Sequence, residues 1–197
     1  MIAYVLTRTA GRPRMFARLR ASLQQQVFPG IIMHVVHAEP GCGYAEADVV
    51  VRGDRAVGGT APYELHQQRL LDAVAGMAPG WVTFMDDDDE YTTPHSLQRM
   101  LANATSEDIM PVWRVERERG RISPAAWLGD LGSRDGRLCW EAAAHHTSHI
   151  GLATIDANDG ADGRYWQQMS RWLKLAWLDE ALTRPQSGKG RGRRRDY

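Results

Sequence analysis

Two apolar runs with one amphipathic stretch between them dictate how this chain must begin to fold. Residues 2–7 (IAYVLT) form one short apolar segment, and residues 31–36 (IIMHVV), richer in β-branched side chains, form another. Each reads as a buried strand. Between them Pro13 suits the first turn of a helix, and Met15, Phe16, Leu19 and Leu23 recur at helical spacing up to Gln26. Pro29-Gly30 then breaks the chain. Strand, helix and strand within 36 residues make a βαβ unit with parallel pairing, so the chain enters the α/β class, with helices covering a mostly parallel sheet.

The pattern continues. Residues 48–51 (DVVV) predict a short third strand, and Pro62 opens a helix carrying Leu65, Leu70, Leu71 and Val74. Residues 81–85 (WVTFM) predict a fourth strand, and Thr93-Pro94 supplies an N-cap and first-turn proline for a helix bearing Leu97, Met100 and Leu101. Residues 109–115, 138–140 and 149–155 read as strands. Residues 163–182 read as a long helix, with Tyr165, Trp166, Met169, Trp172, Leu173, Ala176 and Trp177 on one stripe. From Pro185 onward Gly, Ser and Arg dominate, and disorder is predicted.

The fourth strand runs directly into Asp86-Asp87-Asp88-Asp89-Glu90. A solvated acidic turn is the bland explanation of such a run. Its position at the carboxyl edge of a sheet, where α/β proteins bind ligands, argues for a site. Crowded carboxylates raise one another's pKa unless a cation neutralises them. If the strand geometry continues, Asp86 and Asp88 point the same way. Two hard oxygen donors then suit Mg²⁺ or Mn²⁺ shared with a diphosphate. An EF-hand counted from Asp86 would need Gly and Glu where Tyr91 and Leu97 stand, so that alternative fails.

An apolar strand followed by Asp-x-Asp-Asp, then Pro and a helix, resembles the metal motif of family 2 GT-A glycosyltransferases. Two further segments carry the resemblance. Thr7-Arg8-Thr9-Ala10-Gly11-Arg12-Pro13 is similar to that family's opening strand and loop, and Ser22-Leu23-Gln24-Gln25-Gln26-Val27-Phe28-Pro29 to its Ser-Val-Leu-x-Gln-Thr-Tyr-Pro segment. The match spans roughly residues 1–105.

The resemblance implies a GT-A-like, Rossmann-related α/β fold with a small C-terminal acceptor region. Residues 1–105 would be the nucleotide-sugar-binding half, 106–184 the acceptor half of the same domain, and 185–197 a basic tail. It implies an inverting transfer from a nucleotide-sugar, a UDP-sugar foremost, to a hydroxyl. Thr7, Arg8, Thr9, Asp86 and Asp87 would contact the donor, and Glu39 would stand where the family has aspartates near the base. Asp86 and Asp88 would hold the metal, with His146, from the cluster His145, His146 and His149, as an additional ligand. Asp162, just before an aromatic-rich helix, is the general base that the resemblance implies, with Asp159 as the other contender. A plain helix-start acid is the structural alternative for Asp162, and capping of the first helix is the alternative for Thr9 and Arg12.

Charge and length bound the remaining choices. The net charge of zero hides an asymmetry: residues 188–197 carry five cations against Asp196, which leaves the rest of the chain about −4. The tail is either a solubilising end or a polyanion tether. As a tether it would hold a DNA acceptor bearing a hydroxymethylated base. Two cysteines, Cys42 and Cys139, make no disulfide framework and suggest a reduced compartment. No run approaches 18 apolar residues, no signal peptide is recognisable, and a cytoplasmic location is expected. A nucleotidyltransferase, which also pairs aspartates with metals, and a non-enzymatic nucleic-acid binder are the rival classes. The second predicts a basic body and leaves the acidic run without a use. Nothing in the sequence names the oligomeric state.

Overall fold

The computed structural model describes residues 1–54, 57–117, 121–124 and 138–186. The elements run β1 (Ile2–Thr9), α1 (Pro13–Gln24), β2 (Ile31–Ala38), β3 (Val49–Arg52), α2 (Leu65–Val74), β4 (Trp81–Phe84), β5 (Asp89–Tyr91), α3 (Ser96–Ala102), β6 (Ile109–Arg117), β7 (Arg121–Ser123), β8 (Ala144–His146), α4 (Ala161–Met169) and β9 (Lys174–Pro185). The predicted βαβ unit forms. β1 and β2 pair in parallel, from Ile2 opposite Ile31 to Thr9 opposite Ala38. β3 adds in parallel outside β2, and β4 in parallel on the other side of β1. β8 closes that edge antiparallel, giving the order β3-β2-β1-β4-β8.

Alternation along β1 decides what packs where, because successive side chains face opposite sides of the sheet. Ala3 and Val5 join Leu19 and Leu23 of α1, with Trp81 and Met85 alongside. Tyr4 and Leu6 join Leu70, Leu71 and Val74 of α2, and that cluster continues into Tyr165, Trp166 and Met169 of α4. The same alternation puts Thr7 and Thr9 on the α1 side and Arg8 on the α2 side.

A second sheet, ordered β5-β9-β6-β7, crosses between the two predicted halves, because β5 begins within the acidic run and β9 lies at the end of the described residues. β6 and β9 are parallel, with antiparallel β5 and β7 outside them. Here the sequence reading needs correction. The helix expected over residues 163–182 stops at Met169, and Lys174–Pro185 is a strand. Trp172, expected on the buried stripe, is 67% exposed in the turn between them. The helical spacing continues through Trp177, but inter-strand hydrogen bonding on both sides of β9 overrides it.

Pro185, expected to open the disordered tail, lies opposite Asp89, and Gln186 is 2% exposed. Residues 187–197, and so the basic segment, lie outside the described residues. Residues 138–140 lead into a buried 3₁₀ turn rather than a strand, and 149–155 run from the end of a second 3₁₀ turn into irregular chain. The third helix starts at Ser96, two residues beyond Pro94, and Ser96 Oγ accepts from the Thr93 amide at 3.0 Å. Among the described residues no helix is long and apolar enough to cross a membrane.

Candidate active site

The acidic run begins where β4 ends, at the carboxyl edge of the parallel strands, the position at which open α/β sheets bind ligands. It does not continue as a strand. The Asp89 amide donates to the Asp86 carbonyl at 3.0 Å, closing a turn before β5 begins. The turn divides the four carboxylates differently from strand alternation. Asp86, Asp88 and Asp89 each offer an oxygen within 4.8 Å of the others. Asp87 points into the protein with 0% exposure. It accepts from the Thr9 hydroxyl at 2.7 Å and pairs with Arg12. Burial pushes its carboxyl up to about 7, against the lowering pull of Arg12 and Thr9. Three hard oxygen donors in this spacing fit Mg²⁺ or Mn²⁺. Asp89 belongs to that set beside Asp86 and Asp88, the two that the sequence pattern names.

Two guanidinium groups stand against the turn. Arg8 Nε donates to Asp86 Oδ1 at 3.1 Å, its Nη1 lies 3.2 Å from Glu64, and Tyr63 covers it with its ring centroid at 4.5 Å. Burial alone would lower the pKa of Arg8, but Asp86 and Glu64 outweigh it and raise it. Arg12 Nη1 lies 2.7 Å from Asp88 Oδ2. From below, Gln186 fastens the turn: its amide N–H donates to the Asp88 carbonyl at 2.9 Å, and its side-chain nitrogen lies 3.0 Å from the Asp89 carbonyl and 2.9 Å from that of Met15.

The opposite wall comes from later in the chain. Glu64 accepts from Trp140 Nε1 at 2.7 Å, and burial raises its pKa. Asp162 sits in the first turn of α4, whose N-cap is Gly160 at φ +78°, so Asp162 is not the capping residue. Its Oδ1 accepts from the Gly163 amide at 2.8 Å. Burial raises its pKa, the Gly163 hydrogen bond lowers it, and the charge of Asp86 raises it further. Asp162 and Asp86, 76 residues apart in the sequence, therefore share one electrostatic environment. Glu141 joins the same wall, 3.2 Å from Arg117, with its pKa raised by burial. Glu64, Glu141, Arg117 and Gln186 had no motif around them, and only the fold brings them here.

Other sequence-predicted residues lie elsewhere. Thr7 is fully buried, with its hydroxyl 3.0 Å from His34 Nε2 inside the sheet. The Thr9 hydroxyl is taken by Asp87 and Tyr44. Glu39 ends up at the same sheet edge beyond β2, 3.3 Å from His66 Nε2. His66 stacks on His37 at 4.0 Å, and Arg69 reaches His37 at 3.2 Å. Asp159 is exposed on the loop before α4, with its amide on Thr60. His146 pairs with Trp81, the first residue of β4, and contacts Ser148 and Glu107. It therefore lies at the opposite end of β4 from the acidic turn, because β8 runs antiparallel and carries its C-terminal residue away from the site.

No protein-family model matches the chain, and no curated protein matches it. Solved structures do. S. aureus TarS 1-349 superposes with a TM-score of 0.70 at 16% identity, over 95% of this chain and 61% of that one. The same protein in complex with UDP gives 0.71 at 15% identity, over 94% and 60%. In complex with UDP-GlcNAc it gives 0.61 at 16% identity, over 96% and 60%. This chain thus spans about three fifths of the length of those structures. The shared architecture is the GT-A-like α/β fold, with a central, mostly parallel sheet flanked by helices.

Proposed function

We propose that the chain is a metal-dependent, inverting glycosyltransferase that moves a sugar from a UDP-sugar to an acceptor hydroxyl. One observation carries the reading. Three carboxylates able to share a cation converge at the sheet edge of a fold that is also found in a structure solved with UDP-GlcNAc. Asp86, Asp88 and Asp89 would hold Mg²⁺ or Mn²⁺. When bound, that ion supplies Lewis-acid stabilisation of the departing diphosphate. Arg8, locked between Asp86, Glu64 and Tyr63, fixes the wall beside it. Glu39, braced by His66, offers a carboxylate acceptor for a base N–H. Asp162 takes the proton from the acceptor hydroxyl, and its partly desolvated carboxyl suits that role. Asp159, exposed on the loop before α4, is the alternative base. A DNA acceptor rests on the composition of residues 188–195 alone.

Calorimetry with UDP, with and without Mn²⁺, tests the donor half. Mn²⁺ should tighten UDP binding by about tenfold or more in the wild type, and Asp88→Asn should erase the gain. Asp162→Asn should keep metal-dependent UDP binding while turnover of UDP-GlcNAc falls roughly 10²-fold or more. UDP affinity that ignores Mn²⁺, or full turnover by Asp162→Asn, would overturn the corresponding assignment. Transfer to hydroxymethylated duplex DNA, before and after removal of residues 187–197, decides the acceptor. The cut belongs after Gln186, because that residue is part of the site's support.

A further inference from the structure

We infer that Arg12 is the resident counter-ion of the cation cradle, competing with the divalent ion for Asp88 and thereby making metal binding depend on the nucleotide. The inference rests on the metal-dependent reading above and specifies which side chain regulates it. Arg12 Nη1 lies 2.7 Å from Asp88 Oδ2, and its Nη2 pairs with Asp87. Asp88 is also one of the three carboxylates that can share a cation. A guanidinium and a divalent ion on the same partly buried carboxylate repel each other strongly, so one must yield.

Of the two arginines at the turn, Arg12 is the less enclosed. The Arg8 side chain is 14% exposed and clasped by Asp86, Glu64 and the Tyr63 ring. The Arg12 side chain is 24% exposed, on the loop before α1, and both of its carboxylate partners belong to the turn. When it leaves, Asp87 keeps the Thr9 hydroxyl at 2.7 Å, so the turn keeps an anchor. A cradle already neutralised by an arginine gains little from a bare cation. A diphosphate changes that, because its negative charge can be met by the metal and by the released guanidinium together. Metal and nucleoside diphosphate then bind cooperatively, and the coupling is reciprocal.

The test measures Mn²⁺ binding to the full chain by electron paramagnetic resonance, with and without UDP, in wild type, Arg12→Gln and Arg12→Lys. Arg12→Gln should bind Mn²⁺ alone about tenfold tighter or more than wild type, and its further gain from UDP should shrink. Arg12→Lys, whose single ammonium cannot grip two carboxylates as a fork does, should fall between. Natively folded variants with wild-type or weaker Mn²⁺ affinity would overturn the inference. A second measurement needs no altered protein. The ¹⁵N signal of Arg12 Nε, assigned by its absence from Arg12→Lys, should shift when Mg²⁺ and UDP saturate wild type, and an unmoved signal refutes the exchange. If neither wild type nor variant takes up Mn²⁺ even with UDP, this inference and the glycosyltransferase reading fall together. If UDP recruits Mn²⁺ to wild type and altering Arg12 changes nothing, only the inference falls.

Discussion

At the scale of single residues, the acidic turn works because its members are unequal. Asp87 is spent on Thr9 and Arg12, which pins the loop, while Asp86, Asp88 and Asp89 bring their oxygens within 4.8 Å of one another, Asp86 partly exposed and the other two buried. Gln186 completes the arrangement by donating to the carbonyls of the turn and of Met15. A residue at the end of the described chain thus supports one 97 positions earlier. Gln186→Ala keeps the backbone bond to Asp88 but strips the Asp89 and Met15 carbonyls of their side-chain donor at a buried site. It should cost about 2 kcal/mol in urea unfolding and weaken Mn²⁺–UDP binding, because the turn loses its floor. Unchanged stability and unchanged affinity would assign the hydrogen bonds no role.

At the scale of elements, two loops bring the walls of the cleft together. The loop ahead of α2 meets the loop ahead of α4. The Ala61 amide donates to the Ala157 carbonyl at 2.8 Å, and the Asp159 amide to Thr60 Oγ1 at 3.1 Å. This contact brings Tyr63 and Glu64, just before α2, to the side of the cleft where Asp162 enters α4. Gly59 permits it. Its φ is +70°, and a Cβ there would stand 2.1 Å from the Ala157 carbonyl oxygen. Gly59→Ala should therefore destabilise the chain by about 2 kcal/mol in denaturant unfolding. Gly76→Ala, where a Cβ meets nothing within 4 Å, should stay within about 0.5 kcal/mol of wild type. Equal effects at the two positions would dissolve the argument.

At the scale of the whole molecule, a buried histidine ties β8 of the first sheet to α4, and this gives the protein a pH signature. His145 on β8 is buried. Its Nδ1–H donates to the His146 carbonyl at 2.9 Å, and its Nε2 accepts from the Tyr165 hydroxyl on α4 at 2.8 Å. Burial lowers its pKa to about 4, as it does for His34 and His37. An unfolded histidine titrates near 6.5. The folded state therefore refuses a proton that the unfolded state accepts, so this contribution is present above about pH 6.5 and is lost as pH falls toward 4. Glu64, Glu141 and Asp162, raised by burial, act in the opposite sense, so the total curve alone is not diagnostic. The wild-type minus His145→Gln difference in unfolding free energy isolates the histidine. It should become less favourable to wild type between about pH 7 and pH 4.5, and a pH-independent difference would rule out a neutral buried His145.

What the sequence determined by itself was whatever local periodicity and chain connectivity control. The apolar runs at residues 2–7, 31–36 and 81–85, with the amphipathic stretch between the first two, specify a parallel sheet, because a short helical crossover leaves no other pairing. The acidic run then had to emerge at that sheet's carboxyl edge. The tertiary structure alone decided which carboxylates converge, since that depends on a turn closed by Asp86 and Asp89 and braced by Gln186. It also turned residues 174–182 from the predicted helix into a strand, because hydrogen bonds to β5 and β6 outweigh a local preference. It sent His146 to the far end of β4 through an antiparallel pairing that no spacing encodes, and it gathered Glu64, Arg117 and Glu141 around Asp86 and Asp162. Long-range pairing is a sum over distant partners, and a linear pattern carries only the near ones.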